Sequence, residues 1–240
     1  MKSRLIIATI LARSKSSGLI DKNIKTFHKN HSLLEITINQ ALRLKLFDLI
    51  VFSSDSENYI NLSKKVSPKK IFTIKRSKNL SNKSISKLPG IRDCLLKSEK
   101  YLNKRIDYVI DLAVTSPLRS SQNIIDVNNL LLYKNKSSVL SCFIDENNPY
   151  FNIVELTKNN QIKLSKKPKN KFYSRQYANK CFTLNGAVYG WTREELLKNN
   201  DSVVRSNSSL YLMDPINSID INNELDFRIA KFLYSNSLKK

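Results

Sequence analysis

The chain opens with an apolar, β-branched run, Arg4 to Ala12 (RLIIATILA), that stops at Arg13. A short run of that kind with polar flanks predicts a buried strand. Over residues 32–48 the rhythm changes. Leu34, Ile36, Ile38, Ala41, Leu42 and Leu44 fall at helical spacing and predict an amphipathic helix. LIVFSSD (49–55) and KIFTIKRS (70–77) predict a second and third strand. SKLPGIRDCLLKSEKYL (86–102) predicts a helix after a proline-glycine break, and YVIDLAVTSPL (108–118) a fourth strand. SSQNIIDVNNLLLY (120–133) reads as a helix capped by Ser120 or Ser121, and SSVLSCFID (137–145) as a fifth strand. Strands separated by helical stretches of this length imply βαβ units. The expected fold is therefore α/β: a three-layer, Rossmann-like arrangement with a mainly parallel sheet covered on both faces.

After Asp145 the alternation breaks down. Residues 149–177 suggest a hairpin turning at Asn159-Asn160 and then a basic loop. The stretch 146–182 is thus expected to be a small protruding excursion, for dimerisation or lid duty. LNGAVYGW (184–191) returns to strand character, and residues 222–236 predict a closing helix. With no internal repeat and no long linker, 1–240 is expected to be a single domain.

Composition narrows the function classes. Apolar residues at 41% exclude a mainly disordered chain. No apolar run reaches membrane length, and the first lacks the small-residue cleavage pattern of a signal peptide, so a soluble, cytoplasmic protein is expected. Cys94, Cys142 and Cys181 are scattered and odd in number, which argues against a disulfide framework or a zinc site. His28 and His31 have no further histidine to complete a ligand set and read as polar loop residues. A net charge of +21 favours polyanions, nucleotide phosphates among them. The lysines are dispersed among Asn, Ser and Ile, without the aromatic interleaving of a single-strand platform, so a nucleic-acid partner is not expected.

In open α/β sheets, ligands bind beyond the carboxyl ends of strands where the strand order reverses. The stretch ILARSKSSGLIDKN (10–23) follows the first strand directly. Ser16, Ser17 and Gly18 can offer hydroxyls and backbone N–H groups to a phosphate chain, with Arg13, Lys15 and Lys22 as countercharge. An ordinary solvated connection would look the same, for the loop matches neither glycine-rich nucleotide fingerprint.

Its residue order resembles the loop R-x-G-S-K-G-x-x-x-K-N of the sugar-acid cytidylyltransferases, the CMP-N-acylneuraminate synthetase family. Arg13, Ser16, Gly18, Lys22 and Asn23 stand at matching positions, while Lys15 and Ser17 depart from the pattern. FDLIVFSSDSENY is similar to the family's second strand, which ends in S-T-D. RSKNLSNKSIS resembles R-P-x-E-L-x-x-D and keeps Arg76 and Leu80, with Ser77, Asn79 and Lys83 differing. DLAVTSPLRS is similar to L-L-Q-P-T-S-P-L-R, with Thr115 to Arg119 matching and Ala113 in place of the glutamine that faces the sugar. SRQYANKCFTLNGAVY matches R-Q…N-G-A-I-Y through Arg175, Gln176, Asn185 and Gly186. SIDINNELDF keeps Asp220 but has Asn222 where a second aspartate is usual.

The resemblance implies a transferase that joins CTP to an acidic nine-carbon, sialic-acid-like sugar and releases pyrophosphate. It implies Arg13, Ser16, Gly18, Lys22, Asn23 and Arg76 on CTP, with Arg13, Lys22 and Asp220 catalytic. It also implies Mg²⁺ at Asp220 and Asn222, and the sugar on Arg175, Gln176, Asn185 and Gly186. Arg175 of such enzymes reaches a neighbouring subunit's site, which implies a homodimer. The residue types suit these tasks. An arginine forks across two oxygens while a lysine acts as a point charge. Two residues apart on an extended segment, Asp220 and Asn222 point the same way, and Mg²⁺ takes oxygen ligands. Gly18 is expected to let the loop pass close to the triphosphate. Asn222 brings no charge, so weaker metal affinity is expected, and Ala113 argues for a substrate other than N-acetylneuraminate. Ser17, Lys83, Ala113 and Asn222 together leave an alternative, a catalytically weakened nucleotide- or sugar-binding relative with a regulatory or scaffolding role. Tyr189, Trp191 and Phe227 are expected in the core.

Overall fold

Buried residues of the first strand, β1 (Ile6–Ala12), alternate between two opposite faces, and this sets the architecture. Ile6, Ala8, Ile10 and Ala12 enter one apolar cluster, while Ile7 enters a second on the opposite face. The computed structural model describes residues 4–14, 18–82, 84–167, 177–198 and 201–237. After β1 come a small pair, β2 (Thr26–His28) and β3 (His31–Ser32), then α1 (Leu33–Arg43), β4 (Leu49–Ser54), α2 (Glu57–Val66) and β5 (Ile71–Lys75). A short 3-10 turn (Asn79–Ser81) leads to α3 (Leu88–Leu102), β6 (Tyr108–Leu112), α4 (Ser121–Tyr133) and β7 (Ser138–Ile144). The chain finishes with β8 (Val154–Leu156), β9 (Ile162–Leu164), β10 (Phe182–Thr192), α5 (Arg193–Leu197), β11 (Ser208–Leu212) and α6 (Glu224–Ser237).

Seven strands form one sheet in the order β11-β7-β10-β6-β1-β4-β5. All run the same way except β10, which is antiparallel to both neighbours. Helices α1, α2, α4 and α6 bury Leu34, Ile38, Tyr59, Val127 and Phe227 on one face; α3 and α5 bury Ile91, Leu95 and Leu196 on the other. Helices on both faces of a mostly parallel sheet are the three layers expected. From β1 the chain moves to β4 and β5 on one side, then returns to β6 on the other. The order therefore reverses between β1 and β6, and a crevice opens at their carboxyl ends.

Local chemistry accounts for the element ends. Ser32 and Glu35 form a reciprocal capping box at α1, with the Glu35 N–H donating to Ser32 Oγ (3.3 Å) and the Ser32 N–H to Glu35 Oε2 (2.7 Å). The helix stops at Arg43 rather than running to 48, because Lys45 takes a left-handed φ of 49°. Ser120, of the two candidates, caps α4. Pro89 and Gly90 do not precede α3 but lie within its first turn, where a missing N–H costs nothing. The hairpin of β8 and β9 turns through Asn160 at φ 56°. The hairpin lies within 146–182, the stretch for which the sequence predicts an excursion.

Four features went unanticipated: α2, α5, β11 and the β2–β3 pair. Helix α2 buries only Tyr59, Ile60 and Ser63, too thin an apolar stripe to stand out in SENYINLSKK. His28 and His31 belong to the β2–β3 pair rather than to a loop, and the His28 ring packs edge-on to Tyr234 of α6. Tyr189, Trp191 and Phe227 are buried. Among the described residues the three cysteines are free, and no helix is long and apolar enough to cross a membrane.

Candidate active site

At the switch point a cleft of about 600 Å³ spans the ends of β1 and β6. Its first wall begins where β1 ends. Ser14 donates through its N–H and its hydroxyl to the two oxygens of Asp55 (2.8 and 3.0 Å), just past the neighbouring strand β4. Asp55 thereby fixes the take-off of the loop that carries Arg13. Asn23 closes the loop: its amide donates to the Arg13 carbonyl at 3.4 Å. The Asn23 side chain is buried, and its Oδ1 has no partner among the described residues although Asn23 lines the cleft.

Arg76 lies beside it, anchored by its N–H to the Ser54 carbonyl (2.8 Å) and by Nε to Ser81 Oγ (3.2 Å). Burial lowers its pKa from the ordinary arginine value, opposed chiefly by Asp55. Gly90 of α3 makes room here: a Cβ would stand 2.9 Å from Leu11 and 3.7 Å from the Arg76 guanidinium.

The opposite wall is the segment entering α6. Ile221 is buried and its N–H donates to the Thr115 carbonyl at 2.9 Å. The Thr115 hydroxyl donates to Asp220 Oδ1, and the Asn222 amide to Asp220 Oδ2 at 3.1 Å. Asp220 and Asn222 do point the same way and touch. Lys22 crosses from the loop to donate to the Ile221 carbonyl. Burial lowers its pKa, with Asp220 opposing. Gly18 sits against the same segment. A Cβ there would overlap the Asn222 carbonyl oxygen. The glycine is thus required by a close approach to the protein's own backbone, where the sequence alone suggested a close approach to a triphosphate.

Along the floor, Arg119 is buried. It donates through Nη1 to the carbonyls of Ala113 (3.0 Å) and Ala187 (2.8 Å), and through Nε and Nη2 to Gln40 Oε1. Burial takes its pKa down to about 10. It fixes one carbonyl just past β6 and one within β10. Ala113 lines the cleft.

Several residues singled out from the sequence meet in this cleft: Arg13, Gly18, Lys22, Asn23, Arg76 and Asn222. Asp220 stands beside them through Asn222. Asn185 is elsewhere in its bonding. Its Oδ1 accepts from Ser141 Oγ and the Ala187 N–H, and its Nδ2 donates to Ser218 Oγ (2.9 Å) and Met213. All of its amide is committed inside the protein, tying β7 and β10 to the strand exit that leads to Asp220. Gly186 adopts φ 68° in the irregular stretch of β10. Ser16, Arg175 and Gln176 lie outside the described residues.

Further residues with no role assigned from the sequence also shape the site. Asp55 anchors the loop, Thr115 orients Asp220, and Asp111 is a buried acid on the cleft floor bonded to Lys87 (2.8 Å). A charged residue inside the apolar run YVIDL was the available signal for Asp111; nothing in the sequence marks Lys87.

A sheet whose order reverses at a cation-lined cleft defines a nucleotide-binding α/β protein. Residues 7–179 match the family model described as Cytidylyltransferase, and the chain belongs to that family. It is 37% identical over 96% of its length to the CMP-N,N'-diacetyllegionaminic acid synthase of Campylobacter jejuni subsp. jejuni serotype O:2, covering 95% of that protein. It is 36% identical over 95% of its length to the post-translational flagellin modification protein B of Campylobacter coli, covering 94% of it. In fold it resembles CMP:2-keto-3-deoxy-manno-octonic acid synthetase complexed with CTP, with a TM-score of 0.66 and 12% identity over 97% of this chain and 99% of that one.

Proposed function

We propose that this protein transfers a cytidylyl group from CTP to a sialic-acid-like nonulosonic acid, forming the CMP-sugar and releasing pyrophosphate. The observation that carries this reading is the convergence of Arg13, Lys22 and Arg76 on the switch-point cleft, with Lys22 reaching across to the segment that holds Asp220 and Asn222. Transfer at a triphosphate consists mainly of positioning and of neutralising charge on the phosphates. Arg13 and Lys22 are placed to do the second, and Asp55 and Asn23 hold Arg13 for the first. Asn23 Oδ1 supplies a fixed acceptor for a donor on the nucleotide. The kinship with a synthase named for a CMP-diacetyllegionaminic acid supports an N-acylated acidic sugar as the acceptor, and Ala113 suits a sugar without the group that a glutamine would bind.

Mg²⁺ is part of this proposal. Among the described residues no group of three or more His, Cys, Asp or Glu gathers to hold a metal. Mg²⁺ asks for less, one or two carboxylates together with phosphate oxygens and waters. The Asp220 carboxylate and the amide oxygen of Asn222 fit that demand. Bound there, the ion would stabilise negative charge at the reacting phosphate.

A homodimer working in the cytoplasm completes the reading. The β8–β9 hairpin leaves Val154, Leu156 and Ile162 more than half exposed. A two-stranded hairpin without cover is marginal in water, which supports a second copy of the chain as its partner.

Pyrophosphate release from CTP and Mg²⁺ with a panel of nonulosonic acids tests the function, with no-sugar and Asp220→Ala controls. Sugar-dependent release that disappears in the Asp220→Ala protein is expected. Folded protein that binds CTP but releases nothing with any sugar would overturn the proposal and favour the binding relative.

A further inference from the structure

The cleft floor holds one lysine unlike the other cations. Arg13, Lys22 and Arg76 form no ion pair with another described residue, whereas Lys87 is joined to Asp111 Oδ2 at 2.8 Å. The pair is built in. Thr9, Asp111 and Tyr189 occupy one row across β1, β6 and β10, since Thr9 and Tyr189 are both register partners of Asp111. Thr9 donates its hydroxyl to Asp111 Oδ1 at 2.8 Å, which leaves Oδ2 for the lysine. Lys87 reaches over from the start of α3, and its ammonium lies 4.9 Å from the centre of the Tyr189 ring. Asp111 is almost fully shielded (3% exposed side chain), but Lys87 keeps 35% of its side-chain surface open, and both line the cleft.

This arrangement changes what the ammonium is suited to bind. An unpaired cation attracts phosphate. One neutralised by a contacting carboxylate presents directed N–H donors with little net charge, and two of its three protons remain for other acceptors. Unpaired cations suit phosphates, and a compensated one suits an uncharged group.

We propose that Lys87, fixed by Asp111 and Tyr189, donates a hydrogen bond to a neutral oxygen of the bound substrate, a hydroxyl or an acyl carbonyl. The inference rests on the cleft being the substrate site. Two sources could present that oxygen, the acidic sugar or the 2′-hydroxyl of the nucleotide's ribose.

Calorimetric binding of CTP, dCTP and the accepted nonulosonic acid separates the sources without requiring turnover, and turnover of the wild type is measured separately. Lys87→Met removes the donor but strands Asp111, so the double change Lys87→Met with Asp111→Asn keeps the test valid if the single variant does not fold. Lys87→Arg retains a donor and should recover part of the binding. In the Met variants, sugar affinity is expected to fall about tenfold with CTP unchanged, the loss of one good hydrogen bond. A fall for CTP but not for dCTP would assign the donor to the ribose and equally support the proposal. Equal weakening of CTP and dCTP would place Lys87 on a group the two share, phosphate, base or 3′-hydroxyl, and overturn it, as would unchanged binding of all three. Absence of wild-type turnover alongside these binding changes would sink the proposed reaction while leaving the role of Lys87 standing.

Discussion

Replacing Gly18 by alanine tests whether the loop after β1 and the segment entering α6 act as one unit. The new methyl group would overlap the Asn222 carbonyl oxygen and stand 3.1 Å from its carbon. Neither atom belongs to a flexible side chain. Asn222 is pinned from behind, its N–H on Asp226 at 2.8 Å, and the Ile221 N–H is held by Thr115 at 2.9 Å. The loop therefore has to give way, by about 1 Å, and a misplacement of that size costs roughly 10²-fold in rate. It would also draw Lys22 from the Ile221 carbonyl it now bonds. The expected result is a fall of about 10² in kcat/KM for pyrophosphate release, or about 2.7 kcal/mol of transition-state stabilisation. Stability should fall as well, by about 1–2 kcal/mol, because the displaced loop gives up the Lys22 bond and the clash outweighs the small gain from a stiffer unfolded chain. Urea melts run beside the kinetics separate the two effects. Activity within about threefold of wild type, in protein of unchanged stability, would show that the contact with Asn222 does not position the loop.

Three further tests address the surroundings. Arg119→Met should lower stability by about 2–4 kcal/mol in urea melts, because the Ala113, Ala187 and Gln40 oxygens lose a charged donor while the cost of burying the cation is returned; an unchanged midpoint would mean these terms cancel. For Glu195 on α5, burial favours the neutral acid, but hydrogen bonds from Lys198, Arg205 and Asn207 outweigh it and hold the pKa at about 2 against an ordinary 4.5. A depressed carboxylate stabilises the fold above its unfolded pKa and loses that stability as pH falls toward 2. Stability should therefore drop by up to about 3 kcal/mol between pH 5 and 2 through this residue, and Glu195→Gln should flatten that part of the profile in acid melts. Asn222→Asp adds a second carboxylate beside Asp220 and should lower the half-saturating Mg²⁺ concentration about tenfold in a metal titration of pyrophosphate release; no shift would mean that residue 222 does not face the metal.

How far the molecule could be read in advance depended on whether the determining force was local. β1, β4, β6 and β7 bury nearly every residue, so continuous apolar runs gave them away. α2 escaped because it buries only Tyr59, Ile60 and Ser63, and β11 because, as the edge strand, it buries no residue fully. That Arg13, Lys22 and Asn23 meet at the cleft was legible because their order after the first strand resembles the family's loop. The buried tasks of Arg119 and Asn185 were not, since which carbonyl or amide a side chain reaches is set by β10 running back between β6 and β7. Lys87 was hidden for the same reason: its partner, Asp111, is 24 residues away and meets it only after α3 packs on the sheet.

The departures at Asn222 and Ala113 bear on whether the site has decayed or adapted. A decayed site would strand polar atoms whose partners had been lost, and such atoms are costly when buried. Here the substitution is matched. The Asn222 amide donates to Asp220 Oδ2, a bond that a second carboxylate could not form, and Thr115 satisfies Oδ1. The Ala113 carbonyl, where the side-chain amide is gone, is held by Arg119 and its N–H by Ala187. Among the described residues lining the cleft, the buried side-chain atom left without a partner is Asn23 Oδ1, beside Arg13 on the nucleotide wall. The polar groups around Asp220 are thus locked by the protein, and the open valence lies where CTP would bind. That pattern is the one expected of a working site that orients a single carboxylate by hydrogen bonds instead of using two charges.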